Sequence, residues 1–328
     1  MQSSAAAPSR VRALATGESV QRLLALGALV ILLVFFSIVV PHFASANNYI
    51  DILTATAVNG VLAVGVTLVI ITGGIDLSVG TAMTFCSVVA GLVSVQLGLP
   101  LPLGLLAALG AGALVGLVNG TLIAKGKLPP FIATLGMLYV TLGLAQVLSD
   151  VRPIYFEATQ PGFQALFMAK SVVGIPNIVW VMLGAAAIAW ILLNKTTFGR
   201  YTFALGSNEE ATRLSGVNVD RWKITVYMVE GLFVGLAGII IASRMNSAQP
   251  GLGVGYELDA IAAAVIGGTS LSGGEGSIVG TIIGAFLIST LRIGLSVAGV
   301  PDQWKSVITG LVVIGAVFLD ILRRRAQA

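Results

Sequence analysis

Leu68-Val69-Ile70-Ile71-Thr72-Gly73-Gly74-Ile75-Asp76-Leu77-Ser78-Val79-Gly80 is the stretch on which the fold turns. An apolar run stops in glycines, hydroxyls and one carboxylate, and then apolar residues resume. Glycines permit non-helical backbone and expose its polar groups. Inside a bilayer such backbone survives only when buried in protein or lining a wet cavity. The stretch therefore reads as a turn between two spans or as a helix broken within the membrane. Asp76 stands beside the hydroxyls of Thr72 and Ser78. It suits an N-cap for a helix starting near Leu77, and equally a polar group on a translocation path. The two roles are compatible.

Composition places this stretch in a membrane. Of 328 residues, 56% are apolar and only 10% charged, with a mean hydropathy of +0.98. A soluble domain carries roughly a quarter charged residues, so most of this surface must face lipid. The net charge is +4, but the basic residues are scattered among apolar runs without a basic, aromatic-laced stripe. That excludes a nucleic-acid partner. The single cysteine, Cys86, lies in an apolar run and reads as a packing residue.

A span needs about 20 apolar residues at about 1.5 Å each. Ten segments are expected, at roughly 22–40, 51–72, 78–97, 102–124, 129–149, 175–194, 223–243, 257–272, 276–298 and 304–322. The fold class is thus an all-α polytopic bundle, with helices broken at 73–80 and 267–274. Ala44-Ser45-Ala46 has the pattern of a signal-peptidase site. The run from Leu23 to Val40 exceeds a usual signal core, however, so an uncleaved first helix is expected. Lys and Arg favour cytoplasmic loops. With the N-terminus inside, Arg10, Arg12, Arg22, Lys125, Lys127, Lys195, Arg200, Arg213, Arg221, Lys223 and Arg323–Arg325 are cytoplasmic. Only Arg152, Lys170, Arg244, Arg292 and Lys305 fall outside. Both termini are therefore placed in the cytoplasm. The organisation is a cytoplasmic tail (1–21), a transmembrane domain (22–322) with a charged cytoplasmic loop (195–222), and a basic tail (323–328).

Gly73–Gly80 resembles Gly267-Gly268-Thr269-Ser270-Leu271-Ser272-Gly273-Gly274 at five of eight positions, offset by 194 residues. Duplication explains this, and transporters often place substrate where repeated helices break. Whether the repeat is parallel or inverted stays open. Candidates for the path are Asn59, Thr72, Asp76, Ser78, Thr269, Ser270 and Ser272. Glu230, two turns into a span, joins them, since unpaired it costs roughly 2.5–3.5 kcal/mol. The outer segment holding Asn246, Gln249, Tyr256, Glu257 and Asp259 offers the polar and aromatic groups that a small polar ligand needs. It reads as a solvated loop meeting a helix cap, or as a rim of the path. Arg292 sits near an outer helix end, where it can snorkel. Asp320 and Arg324 form a helical i,i+4 pair. Glycine rows at 112/116/120, 231/235 and 276/280/284 permit close helix packing, within the chain or between two copies.

The loop 201–216 reads as a short capped helix. Ser207 or Asn208 caps it, Glu209 and Glu210 occupy its first turn, and Gly216 ends it. It suits a surface helix or a docking knob. No P-loop is present: five residues separate Gly120 and Gly126, and Leu128 stands where Ser or Thr is required. The lone His42 cannot assemble a metal site or a triad. No active site, metal or cofactor is expected on this chain.

The chain resembles the permease subunits of bacterial ABC-type monosaccharide importers, the group of ribose, xylose, arabinose and galactose permeases. The resemblance runs over roughly residues 45–322, with the ribose permeases most alike. It is carried by Gly73–Gly80, Phe131-Ile132-Ala133-Thr134-Leu135-Gly136, Ala204–Gly216, Tyr256-Glu257-Leu258-Asp259-Ala260-Ile261-Ala262-Ala263 and Gly267–Gly280. It implies a permease of the bacterial cytoplasmic membrane that pairs with a second copy. It also implies a cytoplasmic ATPase with two cassettes, which would hold ATP and Mg, and an extracytoplasmic sugar-binding protein. On this resemblance Gly206, Ser207, Asn208, Glu209, Arg213, Leu214, Ser215 and Gly216 form the loop that couples to the ATPase. A nucleoside or branched-chain amino acid permease and a stand-alone facilitator remain alternatives.

Overall fold

The computed structural model describes residues 10–327. The helices are α1 (Arg10–Val39), α2 (Ala46–Ile71), α3 (Val79–Gly91), α4 (Leu101–Ala124), α5 (Pro130–Ser149), α6 (Phe163–Met168) and α7 (Asn177–Lys195). They continue as α8 (Thr197–Ser207), α9 (Glu209–Leu214), α10 (Val219–Met245), α11 (Tyr256–Ile266), α12 (Ile278–Val297) and α13 (Asp302–Gln327). α3 runs on into a π-helical turn, Leu92–Gln96. Four short strands complete the set: β1 (Ile154–Tyr155), β2 (Lys170–Val172), β3 (Ile175–Pro176) and β4 (Ser247–Ala248).

Local chemistry fixes the helix ends. Ser45, Asn218 and Ser277 accept the backbone N–H of Asn48, Arg221 and Gly280, capping α2, α10 and α12. Prolines open α4 and α5, where a missing N–H costs nothing. α5 ends on Asp150 in the left-handed region.

Among the described residues, eight helices are long and apolar enough to cross a bilayer. They match eight of the ten expected spans. The segment expected at 257–272 is corrected: α11 holds 11 residues, about 16 Å of helix against a core of about 30 Å. α1 starts at Arg10, so helix extends back into the stretch read as a tail. α13 covers the tenth expected span, and the side chains of Asp320 and Arg324 lie outside the described residues.

α2 is the central post. Its most apolar window is 94% buried, against 11% for that of α1. The glycine rows are spent inside the chain. A Cβ on Gly112 would sit 2.1 Å from the Gly231 carbonyl oxygen, and one on Gly116 2.0 Å from that of Tyr227, so α4 and α10 touch backbone to backbone. In the same way Gly280 meets Gly267 and Gly284 meets Ala263, packing α12 on α11. At the far end β1 pairs antiparallel with β4, Ile154 facing Ala248, and Ile154 packs on Gly91. This ties the long 150–176 connection to the α10–α11 loop.

Candidate functional site

The chain between α2 and α3 is non-helical. Thr72 ends α2 and donates its hydroxyl to the Val69 carbonyl at 2.7 Å, and Gly73 turns the backbone with φ +77°. The Ile75 carbonyl accepts from Thr134 of α5 and from Tyr227 of α10, each at 3.4 Å. Asp76 then accepts three bonds. Its Oδ1 takes the Ser78 N–H and hydroxyl, both at 2.6 Å, and its Oδ2 takes the Asn119 amide at 2.9 Å. Asn119 also donates to Ser78 Oγ at 3.0 Å. The expected N-cap role of Asp76 is therefore corrected. α3 starts at Val79, its cap position is Ser78, and no side-chain cap bond is made there. Asp76 serves the turn before the helix instead.

Glu230 reaches this point from α10. It is 1% exposed, and no N–H or O–H of another side chain or backbone group donates to it. The Asp76 carboxyl lies within hydrogen-bond reach. Asp76, Ser78 and Glu230 line one cavity with Gly112, Gly116 and Val234. Its volume is about 10 Å³, the lower limit for one water molecule. Of the expected path residues, these three converge. Asn119 and Tyr227 were missed; Asn119 was signalled only as a lone amide in an otherwise apolar run, between Gly116 and Gly120.

Toward the other end, α11 begins against the first turn of α3. A Cβ on Gly80 would lie 2.3 Å from both the Gly253 carbonyl and Glu257 Oε2. Glu257 accepts the Gly255 N–H at 3.0 and 3.1 Å. Asp259, 3% exposed, accepts from Arg292 Nη2 at 2.8 Å. Arg292 is thus an ion-pair partner whose side chain stays 42% exposed, and Glu257 and Asp259 lie in the first turn of α11 rather than in a solvated loop. Tyr256 is half-buried beside them. Asn246 and Gln249 stand apart: Asn246 ends α10 in the left-handed region and donates to Glu157, and Gln249 donates to Ser247 at 3.2 Å. Asn59 is buried in α2 with both amide atoms unpartnered. Thr269 is buried with a free hydroxyl, Ser270 Oγ accepts the Ser272 N–H at 3.2 Å, and Ser272 is exposed. The similarity between the two glycine motifs does not extend to helix phase. α3 begins inside the first, whereas the second stays a loop until Ile278.

The two motifs instead meet at the charged end of the molecule. The Gly274 N–H donates to the Ile71 carbonyl at 2.8 Å. A Cβ on Gly206 would fall 1.8 Å from that same oxygen, and one on Gly273 2.9 Å from the Gly73 nitrogen. α8, the end of α2 and the 267–277 loop thus join through bare backbone. The expected capped helix is α9: the Asn208 side chain caps it through the Ala211 N–H at 2.9 Å, Glu209 and Glu210 fill its first turn and Gly216 follows its end with φ +83°, while the residues before the cap belong to a separate helix, α8. Capping side chains turn the chain here because Asn208 is extended, φ −162°. Ser207, Asn208, Arg213, Leu214, Ser215 and Gly216 are exposed, Leu214 at 84%. Glu209 bonds Arg213 at 3.2 Å and Lys223 at 2.6 Å, while Asp220 pairs with Lys127 at 3.0 Å. Partial burial works to raise the Glu209 carboxyl, but Lys223 and then Arg213 outweigh it and hold the group below its usual range.

Among the described residues no group of three His, Cys, Asp or Glu side chains is placed to hold a metal. The family described as "branched-chain amino acid transport system / permease component" matches residues 48–317. The ribose import permease protein of Escherichia coli (strain K12) is 44% identical over 295 residues, covering 89% of this chain and 91% of its own. That of Bacillus subtilis (strain 168) is 46% identical over 293 residues, covering 89% and 90%. The fructose import permease protein of Rhizobium meliloti is 38% identical over 306 residues, covering 92% and 85%.

Proposed function

We propose that this chain, which belongs to the family of branched-chain amino acid transport system permease components, forms the membrane path of an ATP-binding-cassette importer for a monosaccharide. Full-length similarity to ribose and fructose import permeases supports a sugar cargo. In this reading the chain performs no chemistry. A separate cytoplasmic ATPase with two cassettes holds ATP and Mg, an extracytoplasmic binding protein delivers the sugar, and two copies of the permease enclose the path. The protein sits in the bacterial cytoplasmic membrane, with both termini and the Lys127–Asp220 end inside.

The observation that carries this reading is the charged end. The exposed α9 is fastened to α10 by ion pairs, and α8 presses Gly206 directly on the last carbonyl of α2. A push on α8–α9 thereby reaches the segment that shapes the cavity at Asp76. Selectivity rests largely with the binding protein. The test is uptake of labelled ribose into proteoliposomes holding the permease, with and without the ATPase, ATP and binding protein. Uptake is expected only with all of them. Equal uptake by permease alone would replace an ABC importer with a facilitator. The family description favours one second reading, a branched-chain amino acid cargo. Leucine uptake in place of ribose would establish it.

A further inference from the structure

We propose that Glu230 and Asp76 together bind one proton within the bundle, with Glu230 as the neutral acid donating to the Asp76 carboxylate. Geometry assigns the roles. Asp76 already accepts three N–H or O–H bonds, from Ser78 twice and Asn119 once, as a carboxylate does. Glu230 accepts none and is 1% exposed. The group within its reach is the other carboxyl, and two carboxyls hydrogen-bond only when one carries a proton.

Among the described residues that face the pair, no cation offers an alternative partner. The cavity is lined by Val79, Ala82, Val115, Val234 and three glycines besides these two acids and Ser78. On α10 the other titratable group nearby is Tyr227, which spends its hydroxyl proton on Ile75. α4 presents Asn119, α5 Thr134 and Thr141, and α2 Gly65, whose Cβ position lies 3.5 Å from the Glu230 side chain. None of these carries positive charge. A second negative charge here would be buried beside the first with no cation to pair it. The proton therefore belongs to the folded bundle, and its bond pins the non-helical 72–78 segment to α10.

The test is infrared spectroscopy of the full-length permease in lipid at neutral pH. A carboxylic-acid C=O band that shifts in D₂O should be present. It should be lost in Glu230→Gln and kept in Glu257→Gln, the other buried glutamate. Carboxyl-labelled glutamate incorporated without substitution should shift the same band, so the result stands even if Glu230→Gln fails to fold. Because a glutamine amide still donates to Asp76, Glu230→Gln should retain midpoint stability within about twofold in unfolding equilibrium, whereas Asp76→Asn should lose about tenfold or more by removing a charged acceptor. Absence of a glutamic-acid band would overturn the assignment. So would a band that disappears when sodium replaces choline, which would identify a metal cation in the proton's place.

Discussion

At the scale of single residues, the close approaches are made by glycines that have no substitute. A methyl group on Gly116 would overlap the Tyr227 carbonyl. Overpacking of this kind costs typically about 1–3 kcal/mol, so Gly116→Ala should lower the thermal midpoint of the purified permease. An unchanged midpoint would show that α4 and α10 part without cost. Gly206→Ala meets an equally hard wall at the Ile71 carbonyl, but at the charged end. It should leave the bundle folded and separate ATP hydrolysis from uptake, measured side by side in the reconstituted system. The glycine spacing was legible in the sequence because a four-residue repeat marks one helix face. The partners were not: nothing in the chain announces that Gly112 answers Gly231, or that Gly206 answers Ile71. Asn119 shows the same limit. Its contact to Asp76 spans 43 residues and depends on where a non-helical segment runs, which periodicity does not encode.

At the scale of elements, eight long apolar runs were readable because a span must be apolar along its whole length. α11 was not, since its apolar residues continue into Gly267 and Gly268 and hydropathy cannot see where hydrogen bonding stops. The cap of α9 was legible, but the adjoining α8 was hidden for a related reason: a capping residue inside a polar loop looks the same whether it starts a helix or separates two. That cap is measurable. Asn208→Ala should cost about 1 kcal/mol of local stability in α9, read as faster amide exchange at Glu209–Leu214. Leu214, at 84% exposure, makes almost no contact within the chain. Leu214→Asp should therefore leave the melting profile intact and abolish co-purification with the ATPase. Retained co-purification would move the docking surface elsewhere.

At the scale of the whole molecule, acid should loosen the charged end before the membrane bundle. Glu209 is held below its usual range by Lys223 and Arg213 once burial is overcome. A depressed carboxylate contributes its full stability above the unfolded value, about 4.3, and loses it as pH falls through the lower folded value. Protection of α9 amides, corrected for intrinsic exchange, should thus stay level from neutrality to about pH 5 and decline below about pH 4. Glu209→Gln should show no such step. A decline beginning near pH 6 would assign the tie to some other group.

The joint where Gly206, Ile71 and Gly274 meet has a mechanical corollary. A contact between side chains carries rotatable bonds, and those bonds let one part travel before the other must follow. Here carbonyl, amide and α-carbon bear on one another directly. There is no lost motion to take up, so even a small stroke at α8 is delivered to α2 at full length.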